Sequence, residues 1–124
     1  MDLIQEYLSL ANEVVSYKET VYDGASAEKH NRKVKRMDTI ATEIEKSFPE
    51  RKNDFQQLLF HENKEIRLWV AHHILERMNY ERRYRKNALK EIRCIARTDK
   101  TVYGFGEKIW LKDWYKKHPK DRWI

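Results

Sequence analysis

From Asn63 to Met78 the apolar residues Ile66, Val70, Ala71, Ile74, Leu75 and Met78 return every three or four positions, which gathers them on one side of a helix. They cover close to half the circumference, so this segment needs neighbours on more than one flank. A cation, Arg67, falls inside the same arc, between Ile74 and Met78 in projection. An unpaired charge in such a place is heavily penalised, so Arg67 calls for an acid or a carbonyl on a neighbouring element. Upstream, a polar break from His61 to Glu65 separates this helix from Leu58 and Leu59. The side chain of Asn63 suits the N-cap, where it accepts from free backbone amides. Residues 54–78 therefore read as a tight helix–turn–helix, with Asn63 and Arg67 in structural roles.

The same periodicity extends along the chain. A first helix over 2–22 carries Leu3, Tyr7, Leu10, Val14 and Val21 on one side, and Asp23-Gly24 is placed to end it. Ser26 is the candidate cap of a second helix with Val34, Met37, Ile40, Ala41, Ile44 and Phe48, closed by Pro49. A shorter third helix spans about 50–60 with Phe55, Leu58 and Leu59 apolar. A fifth, about 81–97, buries Tyr84, Ala88, Leu89, Ile92, Ile95 and Ala96. The stretch "DKTVYGFGEK" reads as a glycine-bearing connector to a last helix over about 106–117, with Trp110 stacked over Trp114 and "KDRWI" as a short tail. Three glycines and two prolines in 124 residues leave little material for strands and turns. The expected fold is a single all-α domain over residues 1–124. Its antiparallel hairpins are expected to stack into an α-solenoid or compact bundle of about six helices.

Net charge is +6, unevenly spread. Residues 1–24 hold Asp2, Glu6, Glu13, Glu19 and Asp23 against Lys18, which leaves +10 for the remainder. Such asymmetry points to a charged partner. A single cysteine, Cys94, excludes an internal disulfide. The N-terminus lacks the basic region of a signal peptide, and no apolar run approaches the ~18 residues of a membrane span. A soluble, cytoplasmic protein with no membrane association is expected.

Leu58-Leu59, the polar break, Asn63, Ile66-Arg67, Ala71 and Leu75 together resemble one HEAT-type repeat unit, in which an arginine commonly pairs across helices with an acid. The longer run "LLFHENKEIRLWVAHHIL", followed by "GFGEKIWLKDW", is similar to a family of small bacterial HEAT-like proteins. Its members share an "NHEN…VRLWAA" core and a closing "GF…A…LKEW" helix. The likeness covers residues 54–78 and 104–114. It implies a helical hairpin fold, and some members look like immunity proteins encoded beside polymorphic or contact-dependent toxins. The chain departs from the pattern at Lys64, where a proline is usual, and at Val70 and His72. Its basic helix 81–97 has no counterpart in the pattern.

That helix carries the sharpest candidate site. Arg82, Lys86, Lys90, Arg93 and Arg97 fall within about 80° of arc. They span roughly 22 Å of helix, enough to meet several phosphates or a carboxylate-rich surface. Lys29, Arg32, Lys33 and Arg36 form a second arc on helix two. Trp69, at the edge of the fourth helix's apolar face, is a candidate aromatic anchor. "HENKE" lacks the second histidine of a zinc-protease motif, and His72 and His73 diverge by about 100° on one helix, so no metal site is expected. Cys94 has no histidine at a suggestive spacing, and no catalytic set emerges. The chain is therefore expected to be neither an enzyme nor a cofactor carrier.

Two roles follow. The family likeness implies an immunity protein that masks a cognate toxin domain, docking through the basic stripe or through an acidic surface of Asp2, Glu6 and Glu13. The basic stripe alone implies instead a HEAT-like protein that binds nucleic acid. Oligomeric state is not legible.

Overall fold

The computed structural model describes residues 2–17 and 24–124. It contains six α-helices and no strand among those residues. In chain order they are α1 (Leu3–Ser16), α2 (Gly24–Ser47), α3 (Lys52–Gln57), α4 (Lys64–Glu76), α5 (Arg82–Thr98) and α6 (Val102–Lys117). Short 3₁₀ turns flank α3 at Pro49–Arg51 and Leu58–Phe60, and a last one covers Pro119–Trp123. The fold is an all-α bundle. No described helix is long and apolar enough to cross a membrane.

Local chemistry sets the helix starts. Asp2 caps α1 by accepting from the Gln5 amide at 2.9 Å. Asn63 caps α4, its Oδ1 accepting from the amides of Glu65 at 2.8 Å and Ile66 at 3.2 Å. Thr101 caps α6 through the Tyr103 amide.

Helix α4 lies at the centre and meets α1, α2, α3 and α5, while α6 packs on α5. Ile66, Val70, Ala71 and Ile74 of α4 are wholly enclosed, as the width of the apolar arc requires. Around them close Tyr7 and Ala11 of α1, Met37, Ile40 and Ile44 of α2, Phe55 of α3, and Leu89 and Ile92 of α5. Tyr7 and Phe55 meet edge to face, with ring centroids 4.8 Å apart. Each of these larger side chains contributes about 1.5–3 kcal/mol by leaving water.

The structure corrects several expectations. Helix α1 ends at Ser16, and Val21 and Asp23 lie outside the described residues. Gly24 opens α2 rather than closing a helix, and no described glycine has a positive φ. Ser26 therefore sits within α2's first turn and is not its cap. Phe48 lies beyond α2 and is exposed. The glycine-bearing connector is largely helical, since α6 begins at Val102. Gly104 is needed there for space: a Cβ on it would stand 1.9 Å from the Asp99 carbonyl oxygen. The "KDRWI" tail is a folded turn with a buried carboxylate, Asp121.

Candidate functional site

Arg67 shows how the bundle treats a cation it encloses. Its Nε donates to Glu91 Oε2 on α5 at 3.1 Å, and one terminal nitrogen donates to the carbonyls of His61 at 2.7 Å and Glu62 at 3.1 Å. It ties the turn before α4 to α5. It lies at the rim of the apolar arc, part-exposed rather than fully buried.

The acids of α1 are treated alike. Glu6 accepts two bonds from Arg36 on α2, at 2.7 and 3.0 Å. The hydrogen bond from Arg36 holds the Glu6 carboxyl below the usual range. Glu13 meets Lys33 at 3.1 Å, and Asp2, already capping α1, meets Arg51 at 3.3 Å. All three acids of the alternative docking surface, Asp2, Glu6 and Glu13, are thus engaged in ion pairs, with Asp2 and Glu13 still about half exposed. Most of the second basic arc is engaged in the same way: Arg32 meets Glu28 at 3.1 Å, and Arg36 also reaches Glu43.

Beneath this hairpin runs a polar chain. The Tyr7 hydroxyl lies 2.6 Å from His73 Nδ1, His73 Nε2 is 3.6 Å from Asp38, and Asp38 accepts from Arg77 at 2.5 Å. Burial pushes the His73 imidazole down to about 4, with nearby Asp38 opposing, and pushes the Tyr7 phenol well up. A neutral His73 therefore accepts a hydrogen bond from the Tyr7 hydroxyl at Nδ1 and turns Nε2–H toward Asp38. With Tyr7 wholly enclosed, the chain fastens α1, α2 and α4 to one another.

Trp69 is half-buried, 5.9 Å from His73 by ring centroids. It faces a groove of about 860 Å³ lined by Val34, Asp38, Leu68, Trp69, Tyr103 and Glu107, among others. The structure does not bring it to the basic stripe. His72 is covered by α6: Glu107 sits 2.8 Å from its Nε2, and Trp110 meets its ring edge-on. His61 Nδ1 accepts from the Asn63 amide. Among the described residues no group of three or more metal-binding side chains is placed to hold an ion.

On α5 the outcome differs. Arg82, Lys86, Lys90 and Arg97 are exposed, and their side chains enter no hydrogen bond or ion pair among the described residues. They remain one open row. Arg93, read from the helical projection as the fifth member, is drawn inward instead. It donates to the Tyr115 hydroxyl at 2.7 Å and to the carbonyls of Asp121 at 3.0 Å and Ile124 at 2.5 Å. The projection shows which residues share a helix face, but it cannot show that the tail folds over part of that face.

At the N-terminal end of the row lies a shallow hollow of about 540 Å³, bordered by Glu81, Arg82, Arg83, Lys86, Trp123 and Ile124. Trp123 was missed from sequence. The available signal was an aromatic outside every helical repeat, in a basic segment after a helix-stopping proline. The site so assembled is a rigid cationic ridge ending beside an exposed indole. It is suited to holding an anionic surface or strand.

The chain matches no family model, and no curated protein and no solved structure matches it.

Proposed function

We propose that this chain is a non-catalytic binding protein of the immunity type. It neutralises a bacterial toxin domain in the cytoplasm by docking the α5 ridge onto an acidic surface of that domain. The observation that supports this reading is the contrast in charge: Asp2, Glu6 and Glu13 are held in ion pairs, whereas Arg82, Lys86, Lys90 and Arg97 are left open. Of the two docking faces considered from sequence, the basic one has no existing ion pair to give up. Complementary charge of this kind speeds encounter and rejects wrong partners. In this reading Asn63 and Arg67 hold the hairpin, and Trp69 stays with the groove rather than the interface.

Co-expression with the toxin domain encoded beside this chain tests the proposal. The wild-type protein should protect cells. The variant R82E/K86E/K90E/R97E should lose protection and bind the purified domain roughly a hundredfold more weakly. The variant D2N/E6Q/E13Q should still protect. A toxin that kills despite matched levels of folded wild-type protein would refute the reading.

A further inference from the structure

The turn Pro119–Trp123 is fastened with unusual care. Asp121 is 3% exposed. Its Oδ1 accepts from Arg85 at 2.8 Å and its Oδ2 from the Trp114 indole at 2.9 Å. Burial alone would raise its pKa, but the bonds from Arg85 and Trp114 together hold it below the usual range. Arg93 adds its bonds to the carbonyls of Asp121 and Ile124. Ordering a chain segment carries an entropic cost. Yet Trp123, the largest side chain of the turn, gains almost no burial, being 79% exposed. The lock fixes an indole in the open, beside Arg82, Arg83 and Lys86. The Arg122 guanidinium lies 5.9 Å from its ring centroid.

From that indole the free cations lead away in steps. Arg82, Lys86 and Lys90 are each one helical turn apart, about 6 Å, and Arg97 follows further on. A flat aromatic plate at the head of a cation row with nucleotide-scale spacing is the arrangement that grips an unpaired strand: bases stack on the ring while phosphates track the charges. A duplex fits less well, because its bases are already stacked on one another and cannot lie on Trp123. An acidic protein surface would satisfy the cations without calling for the indole.

We propose that the α5 ridge and Trp123 form a binding site for single-stranded nucleic acid. Trp123 stacks a base, and Arg82, Lys86, Lys90 and Arg97 pair with successive phosphates. This activity goes beyond the inhibitor reading and uses the same cations, so a strand and an acidic toxin surface exclude each other.

Fluorescence anisotropy with labelled oligo(dT) and oligo(rU) of about twelve nucleotides, and a duplex of equal length, tests the site. The full chain should bind the single strands in about 50 mM salt, with log K falling against log[salt] at a slope of roughly −2 to −3 for four phosphate contacts at most. Trp123→Ala should weaken single-strand binding by roughly ten- to a hundredfold and Trp123→Phe by less. Because Trp123 is exposed, neither change should alter the helical content seen by circular dichroism. R82Q/K86Q/K90Q should flatten the salt slope. Equal affinity for duplex and single strand, or no effect of Trp123→Ala, would overturn the proposal by showing charge attraction alone. Absence of binding at low salt would overturn it while leaving protection against the toxin standing. Loss of protection with oligonucleotide binding intact would sink the inhibitor reading and not this one.

Discussion

The α1–α2 hairpin and the outer edge of α5 are both crowded with charge, and the fold handles them in opposite ways. On the hairpin each docking acid named from sequence has found a cation: Glu6 has Arg36, Glu13 has Lys33 and Asp2 has Arg51. Along α5 four cations stand in one row and enter no ion pair among the described residues. Closed charges tie helices to one another, so their removal should register as lost stability. Open charges hold nothing in the fold and repel each other, so their removal should register as lost binding.

The largest stability effect belongs to the closed side and follows pH. His73 is buried neutral between Tyr7, Asp38, Arg77 and His72, with its pKa lowered from the ordinary 6.5 to about 4. Between those values the unfolded chain takes up a proton that the folded chain refuses, so stability falls as pH falls. The loss is about 1.4 kcal/mol per pH unit, about 3 kcal/mol by pH 4, and it levels off below that. Urea unfolding at pH 7, 5.5 and 4 should show this decline in the wild type. His73→Gln, which cannot titrate, should decline less across the same window. Parallel declines for the two proteins would contradict the enclosed, neutral His73.

Next is the tail. Asp121→Ala strips the partner from the Arg85 guanidinium and the Trp114 indole, at a cost of about 2 kcal/mol. The cost is below that of a fully buried pair because Arg85 is part-exposed. Near-ultraviolet circular dichroism should weaken as well, since Trp114 stacks on Trp110 at 5.0 Å and on His118 at 3.8 Å. An unchanged spectrum and an unchanged urea midpoint would mean that the turn is not locked, which removes the basis for a presented Trp123.

Arg67 comes third. Arg67→Met should cost about 1–2 kcal/mol, chiefly by freeing the two carbonyls before α4 and Glu91 on α5. A double-mutant cycle with Glu91→Gln should return a coupling of about 1 kcal/mol. Coupling near zero would move the tether wholly to the carbonyls.

The sequence made some of this legible and hid the rest for identifiable reasons. Contacts within one helix or one turn could be read, as with Asn63 capping α4, the enclosed arc of α4, and Trp110 over Trp114. Contacts between distant segments could not be read. Glu91 stands 24 residues from Arg67, and Arg36 stands 30 from Glu6. Periodicity orders residues around a helix axis but does not say what lies across the interface. That is why Arg93 was assigned to the ridge although the tail draws it in. Gly104 exposes a second limit. A glycine can serve a turn or a close approach, and only the nearby Asp99 carbonyl decides between them.

The smallest effect separates the two regions most clearly, because it should have the opposite sign. Arg82 and Lys86, and Lys86 and Lys90, are like charges one turn apart, each pair costing a helix about 0.2–0.5 kcal/mol. Neutralising the row as R82Q/K86Q/K90Q/R97Q should therefore leave stability unchanged or raise it by a few tenths of a kcal/mol, more at low salt than at high. Glu6→Gln on the hairpin should instead lower stability by about 0.5–1 kcal/mol, as befits a part-exposed pair. If neutralising the row destabilised the protein as Glu6→Gln does, the α5 cations would be structural members with unseen partners. The distinction between closed and open charge would then collapse, and with it the reason to place binding on α5. If stability rises while binding falls, the row is maintained against the fold's own preference, which is the physical mark of a surface kept for a partner.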